Sequence, residues 1–258
     1  MNEVISLYKP AGLTPSQLID DLKKKYPSFE GVKISPAGRL DPMAEGLVLL
    51  LVGDANKRRD EFLKLDKTYE FSILFGITTD TYDLLGKVLK TDFSYSYPVL
   101  SEKLPKLLAS HIGKTSQPYP PFSSKPVNGK PLFHYARTKQ LEEIILPEKT
   151  VTIKELHLIS LYKDTTDEVK KTTLEKISAV AGDFRQEEIT KIWEEQFPSF
   201  PTTLSVAECT ATVSSGTYIR SLAHTLGEEL GCGALAFSIK RTKIGNYRVE
   251  DALYLNEQ

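Results

Sequence analysis

The side chain best placed to do chemistry is Asp41, within residues 36–53, PAGRLDPMAEGLVLLLVG. Pro42 biases Asp41 away from the helical region toward extended geometry. Gly38, just ahead of Arg39, frees the backbone of the same loop. Downstream, Leu47 to Val52 is a continuous apolar stretch closed by Gly53. It is too short to span a membrane and fits a buried strand. An acid is thus held on a stiff turn at the mouth of a buried sheet, which suits a reactive side chain. A lone Asp-Pro without that context is only a turn.

Other common chemistries lack their residues. There is no Gly-rich dinucleotide fingerprint, no phosphate-binding P-loop and no GxSxG elbow. His111, His134, His157 and His224 are scattered, without metal-ligand spacing. Asp80 and Asp83, in the run TDTYD, read as a solvated turn rather than a metal site, because Asp and Thr are turn formers. A hydrolase using Asp41 as nucleophile has no second positioned base.

Around Asp41 the elements alternate between strands and helices. Residues 3–9 read as a strand. Thr14 is an N-cap with Pro15 at the first helical position, for a helix to Lys25 stopped by Pro27. Asp54 is expected to cap a helix through Leu65. Over Lys67 to Gly76, Tyr69, Phe71, Ile73 and Phe75 share one face of a strand. A short strand at 87–91, a helix over 102–111 capped by Ser101, and a Pro-rich irregular segment at 117–131 follow, then a short helix at 131–138. Strand alternation returns at 149–162 and over Leu204 to Val213. Residues 163–200 read as a polar insertion or lid with one helical pattern near 183–197. A helix from Thr217 to Leu230 stops at Gly231, and strand-like segments end the chain over 234–249. The order lacks the regular βαβ rhythm of a doubly wound sheet, so the fold class is mixed α/β.

The composition is that of an ordinary globular protein, with 40% apolar residues in 258. No signal peptide, transmembrane run or disulfide pattern is visible, and Cys209 and Cys232 read as packed thiols in a reducing cytoplasm. A net charge of −1 is a poor match to a nucleic-acid binder. Its distribution is informative: residues 103–140 hold seven Lys or Arg and no acid, and 212–248 also lean basic, while acids concentrate in 142–197. A neutral total can hide a basic face that follows phosphates.

Five segments, in order, resemble the motifs of the TruB family of pseudouridine synthases, the tRNA pseudouridine-55 synthases. They are YKPAGLTPSQLIDDLKK, GRLDPMAEGLVLLLVGDANK, DKTYEFSILFGITTDTYDLLGKV, QPYPPFSSKPVNGKPLFHYART and SSGTYIRSLAHTLGEELGCGALAFSIKRTKIGNY. Together they cover most of residues 5–248. The resemblance implies one catalytic domain over 1–258 with a mixed, mainly antiparallel sheet flanked by helices. It also implies an RNA-contacting segment at about 114–139, with the polar insertion at about 163–200.

The resemblance implies isomerisation of uridine to pseudouridine in the T-arm loop of tRNA, with no cofactor or metal. Asp41 would be the catalytic carboxylate, Tyr69 would stack on the extruded base, and Arg220 would pair with Asp41. A cation in the first turn of a helix gains nothing from the helix dipole, so Arg220 needs a specific anionic partner. RNA contacts are expected from Lys9, Arg39, Lys67, Lys125, Lys130, Tyr135, Arg137, Lys240 and Arg241. The protein is expected to be a cytoplasmic monomer that binds RNA and no membrane.

Three departures stand out. Pro36 and Ala37 replace a polar pair usual in the family. Many bacterial members continue into a small C-terminal RNA-binding (PUA) domain; a short form without it is expected here, which weakens docking of a whole tRNA while still admitting a T-arm hairpin. The 163–200 segment is longer and more acidic than the family pattern. The alternatives are an RNA-binding or tRNA-folding chaperone with weak catalysis, and a synthase acting on a different RNA.

Overall fold

The computed structural model describes residues 2–255. In chain order the elements are β1 (Val4–Lys9), α1 (Pro15–Lys25), β2 (Ile34–Pro36), β3 (Glu45–Val52), α2 (Arg59–Lys64), β4 (Lys67–Phe75), β5 (Ile77–Thr79) and β6 (Val88–Thr91). They continue with α3 (Tyr97–Ser110), β7 (Gly113–Pro118), β8 (Pro126–Val127), β9 (Lys130–Pro131), α4 (Leu132–Arg137) and β10 (Glu148–Thr165). The last are α5 (Thr166–Ser178), α6 (Gln186–Gln196), β11 (Thr203–Val213), α7 (Ile219–Leu230), β12 (Ala234–Ile244) and β13 (Tyr247–Arg248).

One large sheet runs in the order β1-β3-β12-β4-β11-β10-β7, with β2 beside β3 and β13 beside β12. Among the described strand pairs of this sheet, β3–β12 alone is parallel, with isolated parallel bridges at Leu7–Leu253 and Asp83–Ala236. The continuous apolar run of β3 has a direct cause. Val48, Leu50 and Val52 pack on one face with α1, α3 and α7. Leu47, Leu49 and Leu51 pack on the other with Phe62 of α2 and Ile244. Both faces are covered, so alternation would leave polar groups in the core.

Helix α1 starts as its sequence dictates. The Thr14 hydroxyl accepts from the Gln17 amide N–H while the Gln17 side chain accepts from the Thr14 N–H, a reciprocal capping box. Helix α7 ends where Gly231 turns left-handed, at φ +82°.

Three expectations are corrected. Helix α3 begins at Tyr97, with Ser96 at the N-cap position making no side-chain capping bond, because Pro98 fits a first turn that needs no N–H. Asp54 caps no α-helix. It pairs with Lys57 at 2.7 Å in a short 3-10 segment, and α2 begins only at Arg59. Residues 163–200 are not a loose polar lid. β10 runs on to Thr165 against β11, and the remainder folds into α5 and α6. Val169, Ile177, Ile189 and Trp193 of that pair are fully buried against Leu74, Val206 and Leu235, so it seals the sheet's second face.

Candidate active site

The loop before β3 is held from both sides. The Ala37 N–H donates to Leu49 O at 2.8 Å, and the Ala44 N–H to Asp41 O at 3.1 Å. Gly38, at φ +102°, makes the turn between them. From β12, Arg241 donates through Nε to Leu47 O at 2.7 Å and through Nη1 to Arg39 O at 3.2 Å. Gly46 permits that approach: a Cβ there would stand 2.3 Å from Arg241 O.

Arg220, in the first turn of α7, is the hub. Its Nε lies 2.8 Å from Asp41 Oδ2 and 3.6 Å from Asp83 Oδ2. Nη1 donates to Thr81 O at 2.7 Å and Nη2 to Phe122 O at 3.5 Å. Burial works against the guanidinium charge, and the two carboxylates more than offset it, so its pKa is raised. The Asp41 side chain is 37% exposed, while that of Asp83 is only 7% exposed. Burial pushes Asp83 up to about 6, opposed by Arg220 and by the Thr81 hydroxyl.

Asp41 stands where two cavities meet. The inner one, about 350 Å³, reaches Tyr69 on β4, Lys67, Ser214–Tyr218 and Arg241. The outer one, about 660 Å³, is walled by Arg39, Arg59, Arg137 and Arg185. Arg39, Arg59 and Phe122 line both. Asp41 and the Tyr69 ring line one cavity, and Arg39, Arg59 and Arg137 open onto the other. The first suits an extruded base and the second a sugar-phosphate backbone.

The structure brings Asp41, Tyr69, Arg220 and Arg39 to this cleft. Arg137 is exposed on the outer wall, and Lys125 and Lys130 lie on or beside the β8–β9 hairpin, with Lys125 over the Tyr119 ring at 5.3 Å. Five expected RNA contacts are placed otherwise. Lys9 is fully buried and donates to the carbonyls of Pro10 and Leu13, and burial pushes it down to about 7. Lys67 lines the inner cavity but donates to Leu63 O and Leu65 O, and burial pushes it down to about 8. Tyr135 is buried, its hydroxyl donating to Val127 O at 3.2 Å. Lys240 lines neither cavity and is paired in register with Glu45 and Glu70. Arg241 is 1% exposed and holds the Asp41 loop rather than facing solvent. Lys9, Lys67 and Arg241 answer carbonyls, and Lys67 and Arg241 also line the inner cavity.

Sequence reasoning missed Asp83, Arg59 and Arg185. The reading of TDTYD as solvated is overturned for Asp83, which is buried, and for Asp80, which pairs with Arg185 at 2.7 Å. The available signal was Thr81, placed two residues before Asp83 so that its hydroxyl can reach the carboxylate. At the departure from the family pattern, Pro36 lines the outer cavity and Ala37 is fully buried, so neither side chain offers a hydrogen bond.

A family model described as TruB family pseudouridylate synthase (N terminal domain) matches residues 24–176. The chain is 31% identical to tRNA pseudouridine synthase B of Aquifex aeolicus (strain VF5), covering all of this chain and 73% of that protein. It is 29% identical to the protein of the same name from Clostridioides difficile (strain 630), covering 100% of this chain and 70% of the other. Among solved structures it matches a chain of a Cbf5-Nop10-Gar1 complex with a TM-score of 0.59 at 18% identity. It also matches a chain of an H/ACA RNP bound to a substrate RNA containing 2′-deoxyuridine, with a TM-score of 0.55 at 17% identity. It spans about half the length of each, 52% and 50%, and the likeness is one of fold. The chain belongs to the TruB family of pseudouridylate synthases.

Proposed function

We propose that this protein isomerises uridine to pseudouridine in the T-arm loop of tRNA, with Asp41 as the catalytic residue, Tyr69 as the stacking ring and Arg220 as the partner of Asp41. The observation that carries this reading is the 2.8 Å pair of Arg220 and Asp41 at the junction of two cavities, one of them ending at Tyr69. The N1–C1′ bond of uridine breaks, the uracil turns, and C5 joins C1′. The C5 proton is lost and N1 carries one in the product, so atoms and charge balance without a redox partner. A half-exposed carboxylate facing the cleft is suited to the ring transfer, and the Tyr69 ring to holding the base while it turns.

Arg39, Arg59 and Arg137 on the outer cavity favour an RNA backbone that reaches the site from outside, with the target nucleotide extruded inward. The acting species is proposed to be a cytoplasmic monomer. Two buried free thiols, Cys209 and Cys232, support the reducing compartment. No helix among the described residues is long and apolar enough to cross a membrane.

The test is pseudouridine mapping on an unmodified T-arm hairpin, by chemical labelling and primer extension, with wild-type protein and Asp41→Asn. A stop at the T-loop uridine with wild type only is the expected result. A hairpin that binds without product would refute the T-loop assignment, and the same assay on total RNA would then find the true target.

A further inference from the structure

The α5–α6 pair, which seals the sheet's second face, also reaches the cleft at one point, the turn 182–185. There Arg185 is held in the left-handed region, at φ +66°, a conformation that non-glycine residues adopt only when their surroundings hold them to it. Its guanidinium donates to both oxygens of Asp80, at 2.7 and 3.3 Å. Both side chains are about four-fifths buried, at 19% and 20% exposure. The same guanidinium lies 4.2 Å from the centroid of the Phe122 ring. Phe122 is the residue whose carbonyl accepts from Arg220.

Two arginines from different parts of the fold therefore grip the same two pieces of chain. Arg220 takes Thr81 O, Asp83 and the Phe122 carbonyl, and Arg185 takes Asp80 and the Phe122 ring. The turn makes a further contact with the RNA-contacting segment, since Arg137 Nη2 donates to Asp183 O at 3.2 Å. Helix α6 is itself fixed to the 80–87 loop. Lys87 pairs with Glu188, and Trp193 Nε1 donates to Gly86 O at 3.1 Å. The anchor is largely buried, while the segment it holds carries exposed Phe133, Arg137 and Lys130.

We propose that Arg185 is a positioning residue for RNA binding: it docks residues 119–137 over the cleft in the free protein, so that the RNA meets a wall already built. The kinetic part of this inference rests on the pseudouridine synthase reading, whereas the docking itself does not. Because the segment is docked beforehand, RNA spends less binding energy on ordering it, and loss of the latch weakens binding rather than chemistry.

Arg185→Gly is the informative variant. It removes the guanidinium, and glycine accepts φ +66° without strain, so the fold is retained. Hydrogen exchange on the RNA-free protein should show amides of residues 122–137 exchanging about tenfold faster in the variant, with the β3 and β4 amides unchanged. With the T-arm hairpin, KM should rise about tenfold while kcat stays within about twofold. Arg185→Lys keeps the charge but not the two-toothed, flat contact, and should fall between the two. Unchanged exchange in 122–137 would overturn the inference, as would a loss confined to kcat. If wild type modifies no RNA, the functional reading fails, and the exchange result alone still decides the docking.

Discussion

Two loops bring a carboxylate to the same guanidinium, and they do so in opposite ways. The 37–42 loop presents Asp41 with its side chain more than a third exposed, and Arg220 is its hydrogen-bond partner. The 79–85 loop presents Asp83 almost sealed, with Oδ1 accepting from the Thr81 hydroxyl at 2.6 Å and from the Leu85 N–H at 3.0 Å. Nearness to the arginine does not decide which acid reacts. A carboxylate that is almost sealed, with one oxygen held by a hydroxyl and a backbone N–H, is a fixture that orients the cation, although Asp83 too borders the outer cavity. One that keeps an oxygen toward a cavity can meet a substrate. The two acids share one cation as their link.

The comparison is broken most severely at the open acid. Asp41→Asn should lower turnover on a T-arm hairpin by at least about 10³-fold. Its thermal transition should stay within a few degrees, because the side chain is partly solvated. Primer-extension mapping together with a melting curve checks both. Turnover within tenfold of wild type would remove Asp41 from the chemistry.

At the shared cation the effect falls on both loops. Arg220→Met leaves Asp83 buried with no countercharge, a change that costs about 3–5 kcal/mol. For a chain of this size that is a fall in Tm on the order of 10 °C. Denaturant unfolding of the variant measures it. A loss under about 1 kcal/mol would mean that water reaches Asp83 and that it is not sealed.

What could be read from the sequence follows the same divide. The Asp41 loop announces itself, because a Pro, a Gly and an uninterrupted apolar strand constrain it within a few residues. β1, α1, β4 and α7 were equally legible, each carrying its own caps and period. Asp83 was not, because the groups it meets, Arg220 of α7 and Ala236 of β12, are distant in the chain. The misplaced lysines teach the converse. Lys9 and Lys67 look like phosphate contacts by type, yet each is spent on carbonyls at the end of a neighbouring element. The 163–200 segment misled through its charged outer surface. Ile189 and Trp193 share one face of α6 at helical spacing, and that face is the one it buries.

The sealed acid gives the fold a pH signature. Asp83 titrates near 6 in the folded protein and near 3.8 when exposed, so the fold binds the extra proton between those values. Stability from this group is fully present below about pH 4 and is lost as pH rises through about 6. Asp83→Asn keeps the shape without the charge. The free energy of unfolding of wild type, minus that of the variant, should therefore fall by about 1–3 kcal/mol from pH 4 to pH 7. Urea titrations of both proteins across that range provide the measurement. Parallel pH profiles would contradict a perturbed Asp83.

The smallest change separates the two roles most cleanly. Thr81→Val is nearly isosteric and keeps the backbone carbonyl that Arg220 uses, but deletes the hydroxyl that donates to Asp83. Stability at pH 7 should drop by about 1–2 kcal/mol, the cost of one lost bond to a buried charged group. The ionised form of Asp83 loses a donor, so its titration moves further up and the pH-dependent loss of stability extends above 6. Asp41 is untouched, so kcat at pH 8 should stay within about threefold of wild type. A collapse of kcat as deep as that of Asp41→Asn would instead place the Thr81–Asp83 pair among the reacting groups.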